Sequence, residues 1–263
     1  ARARRMRPHV DRVLCLLPFE PAELLQLDGP EGVYVGHPLI ERLAELRPQT
    51  EEEMAARARV DDGAILILPG SRRSEVTRLM AVFGAAVARL AADRPGLSFV
   101  LPVVPHVRPL VEAALKDWTV PVDLISGEPA KLAAFRSARA ALAASGTVTL
   151  ELALSGVPAV AAYRVAGWEA FLARRLIRVH SVLLPNLILG QRCVPELLQE
   201  EATGEALAAA MGAIIAESEA RRQQLDGLAR LSERMALENR TPSEAAADAA
   251  LQLLGSRGSS AIR

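Results

Sequence analysis

The residues best suited to chemistry are Gly70-Ser71-Arg72-Arg73, inside the stretch Leu68-Pro69-Gly70-Ser71-Arg72-Arg73-Ser74-Glu75. The apolar run Ala64-Ile65-Leu66-Ile67-Leu68 enters it and a helix-type pattern leaves it. A buried strand that turns through glycine into a helix presents unpaired N–H groups at the positive end of the helix dipole. Arginine there adds planar donors that match phosphate. The stretch therefore reads as a diphosphate cradle, or else as a plain strand–helix turn capped by Ser71. It is neither GxGxxG nor a Walker loop, so hydride transfer and P-loop hydrolysis are disfavoured.

A second turn of this kind is Ser145-Gly146-Thr147-Val148-Thr149-Leu150-Glu151. Ser145 or Thr147 can cap the helix, and Gly146 lets a ligand approach the backbone. Thr147 and Glu151 are four apart and share a face. The Glu151 carboxylate there accepts both hydroxyls of a ribose, or only complements the helix dipole. Two such turns on one sheet edge together describe a nucleotide-diphosphate site.

Further candidates carry two readings each. Arg164, after the run Pro158–Ala162, is a second phosphate contact or an ordinary surface arginine. Asn186, in the apolar loop Leu183-Leu184-Pro185-Asn186, caps that loop or touches ligand. Trp168, Phe171, Leu172, Leu176 and Val179 share one helical stripe flanked by Arg174, Arg175 and Arg178. That helix faces a core, or it lies in a membrane interface with arginine toward anionic headgroups. His9, His37, His106 and His180 are scattered without metal-site spacing; His37 is structural or an acid–base group. No GxSxG elbow is present.

The elements that must hold these residues follow a regular order. Strand-like runs at 64–68, 98–103, 122–125, 140–143 and 158–162 alternate with helix-like segments at 72–92, 106–117, 129–136 and 147–155. Alternation of this sort predicts a parallel sheet covered on both faces, an α/β doubly wound unit. Ligands in such sheets bind beyond the carboxyl ends of the strands. Past residue 162 the pattern predicts no further strands: a helix over 167–179, a loop over 181–192, a helix opened by Pro195, and two or three closing helices, the last capped by Thr241-Pro242-Ser243-Glu244. Ahead of the unit, Val13–Leu17 and Gly32–Gly36 read as strands around a short helix through Leu27. Two strands cannot cover a sheet alone, so the chain is expected to begin inside a domain whose earlier part lies outside it.

Composition supports this frame. The chain has 263 residues, 51% of them apolar and 3% aromatic, with a formal net charge of zero. Neutrality leaves no basic footprint for nucleic acid. Cys15 and Cys193 have no motif spacing, which fits a reducing compartment and no metal site. Lys116 and Lys131 are the only lysines. No apolar run reaches the ~20 residues of a spanning helix.

Leu17-Pro18-Phe19-Glu20, Val35-Gly36-His37-Pro38, Leu68-Pro69-Gly70-Ser71-Arg72, Ala144-Ser145-Gly146-Thr147 with Leu150-Glu151, Tyr163-Arg164 and Leu184-Pro185-Asn186-Leu187 occur in that order. In this the sequence resembles the lipid-A-disaccharide synthases. The resemblance implies a GT-B glycosyltransferase of two Rossmann-like halves. It assigns 64–235 as the donor-binding domain and 1–38 as the end of the N-terminal one; the charged, helix-prone stretch between them reads as a linker helix (39–63), and the capped last segment as a C-terminal helix (236–254) followed by a Gly/Ser-rich tail expected to be disordered (255–263). The resemblance implies inverting transfer from UDP-2,3-diacylglucosamine to 2,3-diacylglucosamine 1-phosphate, with no cofactor or metal. Gly70, Ser71, Arg72 and Arg73 would hold the diphosphate, and Glu151 the ribose, beside Ser145, Gly146 and Thr147. Arg164, Asn186 and Gln199 would lie around donor or phosphate. Trp168, Phe171, Leu172, Arg175 and Leu176 would meet the cytoplasmic face of the inner membrane, and a homodimer is compatible with the pattern. The catalytic base is expected in the N-terminal part that the sequence lacks, so this chain is expected to be inactive alone. Alternatives are another GT-B enzyme on UDP-N-acetylglucosamine (the lipid II-forming transferase or the 2-epimerase) and a non-catalytic nucleotide- or membrane-binding module.

Overall fold

A computed structural model of the chain describes residues 2–164 and 181–260. The chain divides into two compact units, Ala1–Leu43 with Leu231–Arg263, and Ala44–Arg230. The predicted membrane helix over 167–179, with Trp168, Phe171, Leu172, Arg175 and Leu176, lies outside the described residues.

In the first unit a short helix α1 (Arg2–Met6) precedes β1 (Arg12–Cys15), α2 (Glu20–Gln26) and β2 (Glu31–Tyr34). The two strands pair in parallel, Arg12 opposite Glu31 and Cys15 opposite Tyr34. The first strand is shorter than its apolar run suggested, and it is not buried: Cys15 is covered, whereas Leu14 and Leu16 are about two-fifths exposed (40% and 41%). Val35 packs with Ala245 and Ala249 of the last helix. That helix, Pro242–Ser260, starts where its cap predicts: Glu244 Oε2 accepts from Thr241 N at 2.8 Å, and Thr241 Oγ1 accepts from Glu244 N at 3.2 Å. It continues past Leu254, where the sequence pattern ends it, because Gly255 stays in the helix; the left-handed glycines lie elsewhere.

The expected linker helix over 39–63 is not continuous. A 3-10 turn (Pro38–Ile40), α3 (Leu43–Leu46) and α4 (Glu51–Ala58) replace it. Pro48 has no N–H to donate and disfavours helix in the residue before it. His37 caps the 3-10 turn, its Nδ1 accepting from Leu39 N at 3.1 Å, so its structural reading holds.

The second unit carries β3 (Ala64–Leu68), α5 (Arg73–Asp93), β4 (Ser98–Pro102), α6 (Arg108–Leu115), β5 (Asp123–Ile125), α7 (Glu128–Ser137), β6 (Ala140–Ala144), α8 (Thr147–Leu154), β7 (Ala159–Tyr163) and β8 (Glu196–Leu198). The sheet order is β5-β4-β3-β6-β7-β8, and every pairing is parallel. Successive strand residues face opposite sides. Ile65 and Ile67 accordingly join a core with Phe83 and Val87 of α5 and with Leu207 and Met211 of the helix Gly204–Ile215. The alanine-rich β6 is buried along its whole length. No helix among the described residues is long and apolar enough to cross a membrane.

Two expectations fail after residue 162. Residues 196–198 form a sixth strand rather than a helix, with Ala162 opposite Leu197. Pro195 fits the edge of the sheet because it supplies a carbonyl, accepting from Ala161 N at 2.9 Å, and needs no N–H partner. The segment read as loop contains the helix Leu184–Leu189, which has Pro185 in its first turn and ends at Gly190 with φ +66°.

The amino end of the sheet is closed by buried arginines. Arg139, 1% exposed, donates through Nε to the Ile215 carbonyl at 2.8 Å and through Nη2 to Glu217 at 2.7 Å. Arg221 Nη1 donates to the Ile214 carbonyl at 2.7 Å, and burial pushes its pKa down to about 10. The Arg139 hydrogen bond holds the Glu217 carboxyl below its ordinary range. That contribution to stability is present above the ordinary carboxylate pKa and is lost as pH falls through the lowered value. Urea unfolding should show Arg139→Met less stable by about 3 kcal/mol at neutral pH, because the Ile215 carbonyl loses its donor and the ion pair breaks. Glu217→Gln should flatten the acid side of the stability–pH curve; an unchanged curve would contradict the pairing.

Candidate functional site

The chain order places one loop on each side of the sheet centre. From β3 the chain winds outward through β4 and β5, then returns to lay β6 on the other side of β3. Leu68 pairs with Ala143. The turns leaving β3 and β6 are therefore neighbours at the carboxyl edge, at the point where the winding reverses. Open parallel sheets form their ligand crevice there.

The first turn is built by Gly70 and Glu75. Gly70 has φ +109°, a region L-residues avoid. A Cβ there would collide with the Glu75 carboxylate and lie 2.7 Å from the Glu75 Cβ. Glu75 folds back over the turn: Oε2 accepts from Arg72 N at 3.3 Å and Oε1 from Arg72 Nη1 at 2.9 Å. The helix cap is thus Arg72, not Ser71. His106, from the turn after β4, donates through Nε2 to the Ser71 carbonyl at 2.7 Å. The Ser71–Arg72 peptide is pinned at both its oxygen and its N–H. The Arg72 amide is therefore occupied, while the amides of Ser71 and Arg73 have no acceptor among the described residues. Ser71, Arg72 and Arg73 are exposed. The Arg72 side chain is 80% exposed, so its remaining donors point into open space.

The second turn is open. Gly146 is the cap of α8 and no side chain closes it, so neither Ser145 nor Thr147 caps as expected. Ser145 N instead donates to the Ala162 carbonyl at 2.9 Å. Thr149 Oγ1 donates back to the Gly146 carbonyl at 2.7 Å. The amides of Thr147 and Val148 are left facing outward, without an acceptor among the described residues. A Cβ on Gly146 would meet nothing within 4 Å. Glu151, in the second turn of α8, lies 2.9 Å through each carboxylate oxygen from Lys131 Nζ.

Three candidates sit elsewhere or are engaged. Arg164 donates to the carbonyls of Gln199 (3.2 Å) and Ala202 (2.8 Å), pinning the 3-10 turn Gln199–Glu201 after β8. Gln199 enters that turn with φ +52°. Asn186 is 2% exposed. Its amide donates to Ser181 Oγ and the Val194 carbonyl, and its oxygen accepts from Cys193 N and Val194 N. That uses all four of its hydrogen-bonding positions, so its loop-closing reading holds and it has no capacity left for a ligand.

His106 and Lys131 were not among the sequence candidates. Nothing local marks His106. Lys131 carried one signal, its rarity: it is one of two lysines in a chain whose other basic side chains are arginine and histidine. Glu75 carried another, an acid three residues after a cap.

A doubly wound parallel sheet with two strand–helix turns side by side at its switch point is the architecture of this unit, and solved structures share its fold. UDP-GlcNAc 2-epimerase from Neisseria meningitidis, bound to UDP-GlcNAc, matches 91% of this chain and 61% of its own at a TM-score of 0.60 and 17% identity. Sucrose-phosphate synthase from Thermosynechococcus elongatus matches 96% of this chain and 61% of its own at 0.59 and 16%. At such identities the likeness is one of fold, that of the GT-B glycosyltransferases and related epimerases. A family profile described as lipid-A-disaccharide synthetase matches residues 1–250. The lipid-A-disaccharide synthase of Bradyrhizobium diazoefficiens is 50% identical over 250 residues, 95% of this chain and 63% of that protein. The chain belongs to the lipid-A-disaccharide synthetase family, and it spans 63% of the length of that relative.

The two turn glycines should respond unequally to alanine. Gly70→Ala should lower the unfolding free energy by about 1–2 kcal/mol, through positive φ and the clash with Glu75. Gly146→Ala, with extended backbone and open space, should stay within about 0.5 kcal/mol of the parent. Denaturant unfolding of the two variants checks both.

Proposed function

We propose that this chain carries the UDP-sugar binding half of a glycosyltransferase of lipid A biosynthesis. The whole protein would join UDP-2,3-diacylglucosamine to 2,3-diacylglucosamine 1-phosphate with inversion and release UDP. The observation that carries the reading is the pair of adjacent turns at the sheet switch point, in a chain of this family. The departing UDP gains negative charge as the glycosidic bond breaks. Donors fixed in advance toward that charge lower the barrier without reorganising. The Ser71 and Arg73 amides and the free edge of the Arg72 guanidinium hold the diphosphate. The α8 amides beyond Ser145, Gly146 and Thr147 border the same crevice, and Glu151 accepts from the ribose hydroxyls. Arg164 and Gln199 act one step back, by shaping the turn after β8. No base that deprotonates the acceptor is assigned among the described residues.

Both sugars carry acyl chains, so the reaction belongs at a lipid surface, on the cytoplasmic face of the inner membrane. Trp168, Phe171, Leu172, Arg175 and Leu176 have the composition for that contact.

Calorimetric titration with UDP tests the donor site. UDP should bind, Arg72→Ala should weaken it by about 1.5–3 kcal/mol as a lost charge-assisted contact, and Gly146→Ala should weaken it while leaving the fold intact. No heat from UDP on a folded chain would overturn the reading. Flotation with anionic vesicles should weaken on Trp168→Ala combined with Phe171→Ala; undiminished flotation would remove the membrane assignment.

A further inference from the structure

We infer that His106 is a positioning residue for the diphosphate: by holding the Ser71 carbonyl it fixes the direction of the two free amides of the β3 turn. This rests on the donor-site reading above. Those amides belong to the Gly70–Ser71 and Arg72–Arg73 peptides. The Ser71–Arg72 peptide lies between them, so its plane sets how one amide points relative to the other. His106 Nε2 is 2.7 Å from the Ser71 carbonyl oxygen, and Glu75 Oε2 accepts from Arg72 N at 3.3 Å. That plane is thus held at both ends, by side chains from two different elements. A carbonyl only accepts, so Nε2 carries the proton in this contact. The neutral ring in that tautomer and the imidazolium both donate there, and the hold does not need a charge.

The histidine is presented rigidly. It is the middle residue of the 3-10 turn Pro105–Val107, where the Pro105 ring fixes one backbone torsion. Val103 and Val107, 5% and 1% exposed, anchor the turn on either side in the core of the second unit. Val103 N donates to the Ile125 carbonyl at 2.9 Å. β4 pairs with β3 on the side away from β6, so the turn after β4 supports the β3 turn from one flank while the β6 turn lies on the other. His106 itself is exposed. A hydrogen bond in that setting competes with water and contributes little to the stability of the fold; its effect is on the shape of the loop. Two amides set in advance at a fixed angle lose less freedom when an anion arrives than two that must first be turned.

Calorimetric titration of the parent, His106→Ala and His106→Gln with UDP tests the assignment, with circular dichroism confirming the fold of each. Alanine should weaken UDP about fivefold, the net worth of one hydrogen bond. Glutamine carries its amide nitrogen about as far from the backbone as Nε2 and should restore the affinity to within about twofold of the parent. Uridine, which has no phosphate and is followed by NMR at millimolar concentration, should distinguish neither variant from the parent. Parental affinity for UDP in His106→Ala overturns the inference and leaves the donor site standing. Failure of glutamine to rescue also overturns it, since His106 would then be a direct cationic contact. A loss for uridine equal to that for UDP does the same, since that is a general disturbance of the site. If the folded parent binds no UDP, the donor-site reading fails and the inference falls with it.

Discussion

The pairing of β3 with β6 is the constraint on which the site depends. These strands are separated in sequence by β4, β5 and three helices, yet they lie side by side in parallel register. That register sets Leu68 against Ala143, and the two turns that leave them cannot then be far apart. A shift of one residue would turn every side chain of β6 to the opposite face. The adjacency of the two turns is therefore a by-product of core packing at the sheet centre.

Within that frame the two turns are finished differently. The β3 turn is internally neutralised: Glu75 sits at the helix start, takes the Arg72 amide and shares the Arg72 guanidinium. A carboxylate at a helix N-terminus is stabilised by the dipole, so the loop keeps its shape without a ligand. His106 fixes the carbonyl side of the same peptide. The β6 turn lacks such closure, and its outward amides depend on whatever enters. One turn brings rigidity and an arginine, and the other brings unoccupied donors and the Glu151–Lys131 pair.

The alternation of apolar runs and helical stretches made the doubly wound unit legible, because each strand is buried on both faces and each helix starts at a turn. The β3 turn and the β6 turn were legible for the same local reason, glycine at a strand–helix junction. The partners of those loops were not. His106 against Ser71 and Lys131 against Glu151 meet only after the sheet orders its strands, because they join residues 35 and 20 positions apart. The strand Glu196–Leu198 was misread because Pro195 followed by Glu-Leu-Leu-Gln has good helix propensity, and pairing with the exposed edge of β7 outweighed it. The helix Leu184–Leu189 carried its signals in plain view, proline in the first turn and glycine beyond the last, and an apolar sequence hid them. Asn186 shows the limit of residue typing: an amide in an apolar segment closes a loop as readily as it binds a ligand.

The alanines of β6 carry a consequence for how such a chain can change. Ala140, Ala141, Ala143 and Ala144 lie 0–3% exposed at the middle of the sheet, with no side-chain volume to give up. Almost every substitution there adds atoms to a closed space, and overpacking of that kind costs about 1–3 kcal/mol. Larger residues such as Phe83 or Leu101 can shrink and be compensated by neighbours. The centre of the sheet is thus a one-way position in sequence space, able to lose stability and with little means of regaining it. Variation in this domain is channelled to its rim, where the turns leaving β3 and β6 are carried.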